Sequence, residues 1–268
     1  MKSTATMIFT LLSLSFSLFS CHNKSPFPIT DLHIHLKGGF TIEDAVLKSK
    51  KENIRYGIVT NCGIGFPVHN DSQIDSVIQT LKNYPQFFLG LQAEGREWVN
   101  TFSRESINKF DYVFTDAMTF TDAKGRRNRI WIREETWIDN EQEFMDYLVN
   151  TIVKILNTEP INIYVNPTFL PARMSDRYDF FWTDERMDKV IKGAKDNNIA
   201  IEINNRYRIP SAAFIAKAKK AGVKFTVGTN NANKEFSGAK YAIEMIKKCK
   251  LTQDDFYQPV NKRQDGKL

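Results

Sequence analysis

Two histidines two residues apart, His33 and His35, stand in the segment DLHIHLKGG. On an extended strand, side chains at i and i+2 point to the same side, so both imidazoles can address one ion. Neutral imidazole is a common ligand for zinc and related metals. The chain has four histidines, His22, His33, His35 and His69, and half of them are placed here. A lone His-x-His is equally compatible with a satisfied polar pair at a strand end, so the surrounding elements must decide between the two.

Those elements alternate between strand and amphipathic helix. Apolar runs predict strands over residues 29–35, 56–60, 87–92, 112–115, 161–165, 200–203 and 223–227. Helical periodicity predicts helices over 41–53, 71–83, 141–156, 184–196, 211–221 and 234–249, the first with Thr41 as N-cap. Strands joined by helices of this length pair in parallel through right-handed crossovers. Seven such units predict an α/β, TIM-like (β/α)7 barrel. Polar residues fall at the end of each strand: His33 and His35, Asn61 and Cys62, Glu94, Asp116, Asn166, Glu202 and Asn204, then Asn230, Asn231 and Asn233. In a barrel these ends share the C-terminal face, where sites are built. Strand ends are also exposed turns that suit asparagine, which accounts for a few of these positions without any chemistry.

Residues 1–20 read as a signal peptide. Lys2 precedes an apolar run from Met7 to Phe19, too short to span a bilayer comfortably. The run ends at Ser20-Cys21, in the manner of a lipoprotein signal with Cys21 as the lipidated terminus. Residues 21–28 then serve as anchor and linker, and residues 29–268 as the barrel. An exported, lipid-anchored protein on a bacterial membrane is the expectation. Only Cys62 and Cys249 remain, so no disulfide framework exists. The formal charge of +6 is mild and comes without a lysine-rich tract, so nucleic-acid binding is not indicated.

With these residues in view, the chain resembles the PHP (polymerase and histidinol phosphatase) metallohydrolases. The likeness rests on DLHIHLKGGFTIEDAV, on AIEIN at residues 200–204 and on PSAAFIAKAKKAGVKFTVGTN at residues 210–230. It implies the distorted seven-stranded barrel of that family and up to three metal ions. The family's first site would fall on His33, His35, Glu94 and Asn230, with asparagine where the family has aspartate. Its second would share Glu94 and fall on Asp116 and Asn166, where the family has histidines. Its third would fall on Cys62 and about Ala232, again in place of histidines. The remaining set implies one divalent ion, zinc or manganese, on His33, His35 and Glu94. Asp116 would act as general base or second-ion ligand, and Asn230 would ligate weakly or position water. Glu97, the alternative carboxylate, fits the spacing less well. Lys37 either faces the same pocket and orients an anion or is a solvated loop lysine.

Arginines and aromatics crowd the segments after the strands: AKGRRNRIWIREE at residues 123–135, then Arg173, Arg177, Phe180, Phe181 and Trp182, then Arg206 and Arg208. Guanidinium groups fit carboxylate, phosphate and sulfate. Arg129, Arg173, Arg206 and Arg208, with Asn166 and Asn204, are the expected contacts to an anionic small molecule or saccharide. Most of the aromatics are expected to pack the loops. Three functions remain open. The first is a metal-dependent phosphoesterase-like hydrolase. The second is an amide or lactone hydrolase of amidohydrolase type. The third is a lipid-anchored binding protein that has lost turnover.

Overall fold

In the computed structural model, which describes residues 25–263, seven parallel strands close into a barrel. The elements in chain order are β1 (Ile29–His35), α1 (Ile42–Glu52), β2 (Ile54–Cys62), α2 (Asp71–Leu81), β3 (Phe88–Ala93), α3 (Trp98–Thr101), α4 (Arg104–Ile107), β4 (Tyr112–Thr115), β5 (Thr119–Thr121), β6 (Arg127–Arg129), α5 (Glu141–Thr158), β7 (Ile163–Tyr164), α6 (Tyr178–Phe181), α7 (Asp184–Asp196), β8 (Ala200–Asn204), α8 (Ala212–Ala221), β9 (Phe225–Gly228) and α9 (Lys240–Lys248). The barrel runs β1-β2-β3-β4-β7-β8-β9 and closes through Asp31 of β1 against Val227 of β9. The expected signal peptide, Cys21 and His22 lie outside the described residues. Among the described residues, no helix is long and apolar enough to cross a membrane.

The helices start where side chains satisfy their free N–H groups. Thr41 caps α1 with a capping box to Asp44, and Asn70, Asn140, Thr183 and Ser211 cap α2, α5, α7 and α8. The strands are buried on both faces; every residue of β3 and β8 is buried. That is why they read as apolar runs and not as an alternation. Leu32, Val59, Phe88, Tyr112, Ile163 and Ala200 belong to a small apolar cluster separate from the main core between strands and helices. Tyr112 spans the barrel interior and donates its hydroxyl to the carbonyl of Leu32 at 2.7 Å. It does so over Gly90, its register partner; a Cβ there would lie 2.5 Å from the ring.

Two expectations need correction. Residues 123–135 are not a plain loop: β5 and β6 form an antiparallel hairpin, and Arg129 sits on its second strand. The last helix begins at Lys240, not 234, because Gly238 adopts φ +65° and interrupts the turn before it.

Candidate functional site

His33 lies at the centre of the C-terminal face. Its Nδ1 meets Glu202 Oε1 at 2.5 Å, and both residues are only 1% exposed. Glu202 is buried in β8 and collects three donors: this imidazole, the Asn166 backbone N–H at 2.8 Å and the Asn204 amide at 2.8 Å. A carboxylate accepts only, so it fixes the proton on Nδ1 and leaves the lone pair on Nε2. Nε2 is itself buried and has no hydrogen-bond partner among the described residues. Gly228 of β9 makes the pair possible: a Cβ at that position would lie 1.8 Å from Glu202 Oε1.

The end of β1 is held by its neighbours. Asp31 accepts the His33 and Thr229 backbone N–H groups at 3.1 and 3.0 Å, and the Thr229 hydroxyl as well. Burial pushes its pKa up to about 6, against the lowering effect of these bonds. Asn231 brackets the His35 peptide, donating to its carbonyl at 2.9 Å and accepting its N–H at 2.8 Å. The two imidazoles stand with ring centroids 5.1 Å apart. Burial pushes the His35 pKa well down, and the Lys37 and Arg206 charges act in the same direction, so this ring is neutral.

Asparagines knit the neighbouring strand ends. Asn166 donates its amide to Asp116 Oδ2 at 2.7 Å and accepts from Asn204 at 2.9 Å and Asn230 at 3.0 Å. Asn230 also ties its backbone N–H to the His33 carbonyl at 2.8 Å. Asn166 and Asn230 have φ of 47° and 49°, a left-handed conformation asparagine tolerates better than most residues. The turn-forming and networking roles of these asparagines therefore coincide.

Glu94 is buried and accepts from Asn61 at 2.6 Å and Gln92 at 2.9 Å, both on Oε1. Burial and then the Asp116 charge push its pKa up to about 8. Burial also raises Asp116. Lys37 keeps its side chain exposed, but partial desolvation and then Arg206 lower its pKa, while Glu94 acts in the opposite direction. Lys37 therefore sits among the cluster's charges. Glu97 is turned away and accepts from the Arg96 backbone at 3.1 Å. Cys62 is fully buried; burial and Glu94 push its thiol up to about 12, and it donates to the Thr60 carbonyl at 3.4 Å. It is a packed, protonated thiol.

Beside this cluster opens a cleft of about 1020 Å³, bounded by Ile130–Thr136, Thr168–Ser175 and Arg206–Ile209. Arg173, Arg206 and Arg208 line it, and Arg208 is paired with Glu244 at 2.9 Å. Arg129 does not line it and is paired with Glu135. Phe181 and Trp182 are packed away, whereas Trp131 is 40% exposed at the cleft wall.

The donor chemistry can be set against a metal ion. The buried, unpartnered Nε2 of His33, oriented by a carboxylate on the other ring nitrogen, is how a metal-binding imidazole is presented. His35 is neutral beside it, and Glu94 Oε2 has no hydrogen-bond partner among the described residues. This suits one ion in kind. Yet among the described residues no three His, Cys, Asp or Glu side chains converge closely enough to hold a metal. The second and third ions have still less: Asn166, Asn230 and Cys62 are committed to other bonds.

Glu202 went unassigned in the sequence reading beyond its place at a strand end. Its signal was available: a carboxylate flanked by isoleucines in AIEIN must be buried and needs a partner. Asn231, like Glu202, was placed at a strand end without a role, and Asp31 and Gln92 were missed for lack of such a signal.

No protein-family model matches the chain, and no curated protein matches it. Among solved structures, the histidinol phosphate phosphatase of Lactococcus lactis, determined with zinc, L-histidinol and phosphate, superposes with a TM-score of 0.55 at 13% identity. The match covers 84% of this chain and 94% of that one. A chain of an archaeal ribonuclease P complex with mature tRNA covers 83% of this chain at 14% identity, with a TM-score of 0.42 that carries no argument. At this identity the likeness to the phosphatase is one of fold: the α/β barrel of seven parallel strands predicted from the sequence is the barrel of histidinol phosphate phosphatase.

Proposed function

We propose that the protein is a divergent PHP-type hydrolase acting on an ester of an anionic small molecule or saccharide. One divalent ion, zinc or manganese, would serve it in place of three. The observation that carries this reading is His33, whose buried Nε2 is unpartnered while Glu202 holds the proton on Nδ1. His33, His35 and the free oxygen of Glu94 would hold the ion. When bound, it would polarise the ester oxygen and lower the pKa of an attacking water. Asp116, raised by burial, would take the proton from that water. Asn230 would position the water through its amide. Lys37 and Arg206, both charged at the cluster's edge, would orient the anionic group.

The test is turnover of a panel of aryl and sugar phosphate monoesters by the full-length chain, loaded with zinc or with manganese. Turnover that falls at least a hundredfold in His33→Ala is the expected result. Equal rates in wild type and His33→Ala would overturn it. Absence of turnover with either ion would favour a second reading, a binding protein. That reading draws on the amide network around Asn166, which ties four strand ends together without any ion. We also propose export and lipid attachment through Cys21.

A further inference from the structure

The cleft is too large for the reacting group alone. Small-molecule sites run to about 300–1,000 Å³, and this one reaches the top of that range. None of the histidines or carboxylates of the cluster lines it; it adjoins them through Arg206 and Thr168. Its charge is selective. Between residues 126 and 208, Arg126, Arg129, Arg177, Arg186 and Arg208 are each ion-paired to a carboxylate. Arg133, Arg173 and Arg206 have no such pair among the described residues, and all three line the cleft. Arg127 is the fourth unpaired one and lies outside it. The free guanidinium groups come from three separate segments of the chain that line the cleft. Trp131 and Tyr207 add aromatic surface, the latter in T-shaped contact with Phe169.

We infer that the cleft binds an acidic oligosaccharide, a chain of sugar rings with carboxylate or sulfate groups on successive units. Separate guanidinium groups match separate anionic groups, and the exposed Trp131 ring, with the half-buried Tyr207, matches sugar rings. The inference rests on the hydrolase reading only for what is then done to the ligand; binding in the cleft does not need the reaction.

The test is titration calorimetry of the full-length chain in the presence of a chelator. The probes are hexagalacturonate, a chondroitin-sulfate hexasaccharide, neutral maltohexaose and a single-stranded RNA hexamer. At least one acidic hexasaccharide should bind more tightly than maltohexaose and the RNA, and the better of the two assigns carboxylate or sulfate. Arg133→Ala/Arg173→Ala should weaken that binding by about tenfold or more, the scale of a lost charge-assisted contact. Both side chains are exposed, so the thermal midpoint should match wild type and show the variant is folded. The inference is overturned if neither acidic hexasaccharide binds, or if maltohexaose or the RNA binds as tightly. It is equally overturned if the folded double variant binds like wild type. The chelator keeps the two readings apart: inactive protein can still bind, and active protein can fail to.

Discussion

Glu202 is an acceptor-only side chain surrounded by three donors, and this makes its charge specific to the site. In Glu202→Gln, an amide N–H₂ must face either the His33 ring or the Asn166 and Asn204 donors. The expected cost is about 2–3 kcal/mol of stability, the price of a buried unsatisfied contact. The expected loss in affinity for zinc is about 10–100-fold. Urea unfolding and chelator competition would measure both; Glu244→Gln, an exposed partner of Arg208, should stay within about 0.5 kcal/mol of wild type. Glu94 gives a pH-dependent counterpart. Its carboxyl titrates at about 8 when folded against an ordinary 4.5. The folded state therefore binds more protons in that window, and stability falls as pH rises through about 8. Asp31, raised to about 6, adds the same sign at lower pH, while the lowered His35 opposes it below 6.5. The clean window is pH 7–8.5: metal-free wild type should lose stability there, and Glu94→Gln should be nearly flat. A wild-type profile as flat as that of Glu94→Gln would show that Glu94 ionises freely in the fold. At this scale the sequence exposed the polar strand ends but not their pairing. Which donor meets which acceptor depends on register across the barrel, and a single chain position does not encode that.

Elements were far more legible than contacts. Each barrel strand coincided with a predicted apolar run, and β1 and β4 matched at both ends, because strands buried on both faces leave an uninterrupted signature. The β5–β6 hairpin escaped notice because RNR, its second strand, is polar and short, and its partner TFT has one buried ring to announce it. Gly228 shows what a strand contributes beyond its run of apolar residues. Its missing side chain is the space Glu202 occupies, so β9 shapes the site without supplying any reacting atom. Gly228→Ala should cost about 1–3 kcal/mol, the range for forcing extra volume into a packed core. More diagnostic is the coupling. Added to Glu202→Ala, which removes the atoms the new Cβ would meet, the alanine should lose part of its cost if its clash is with that carboxyl group, because the two substitutions act on one contact. Strictly additive unfolding free energies would mean that the clash is with the backbone and would detach Gly228 from the site.

Parallel strands give the whole molecule a polarity. All seven barrel strands begin on one face and end on the other, and the His33 cluster belongs to the second. Both described ends of the chain belong to the first. Phe27, just before β1, packs on Phe256 with centroids 5.4 Å apart, and the Tyr257 N–H pairs with the carbonyl of Phe225, where β9 starts. Lys262 continues the same face, its N–H bonded to Asp111 just before β4 at 2.8 Å. A lipid on Cys21, as proposed, would therefore tether the barrel by its starting face and turn the cleft away from the membrane. Two outcomes follow from that geometry. Labelled palmitate should be incorporated by the wild-type chain and not by Cys21→Ala, which should move from the membrane to the soluble fraction. Protein reconstituted in liposomes should then bind the preferred acidic hexasaccharide as tightly as protein in detergent, because the bilayer lies on the far side of the barrel. Binding lost on reconstitution, with labelling intact, would mean that the tether folds the cleft toward the lipid and would overturn this orientation.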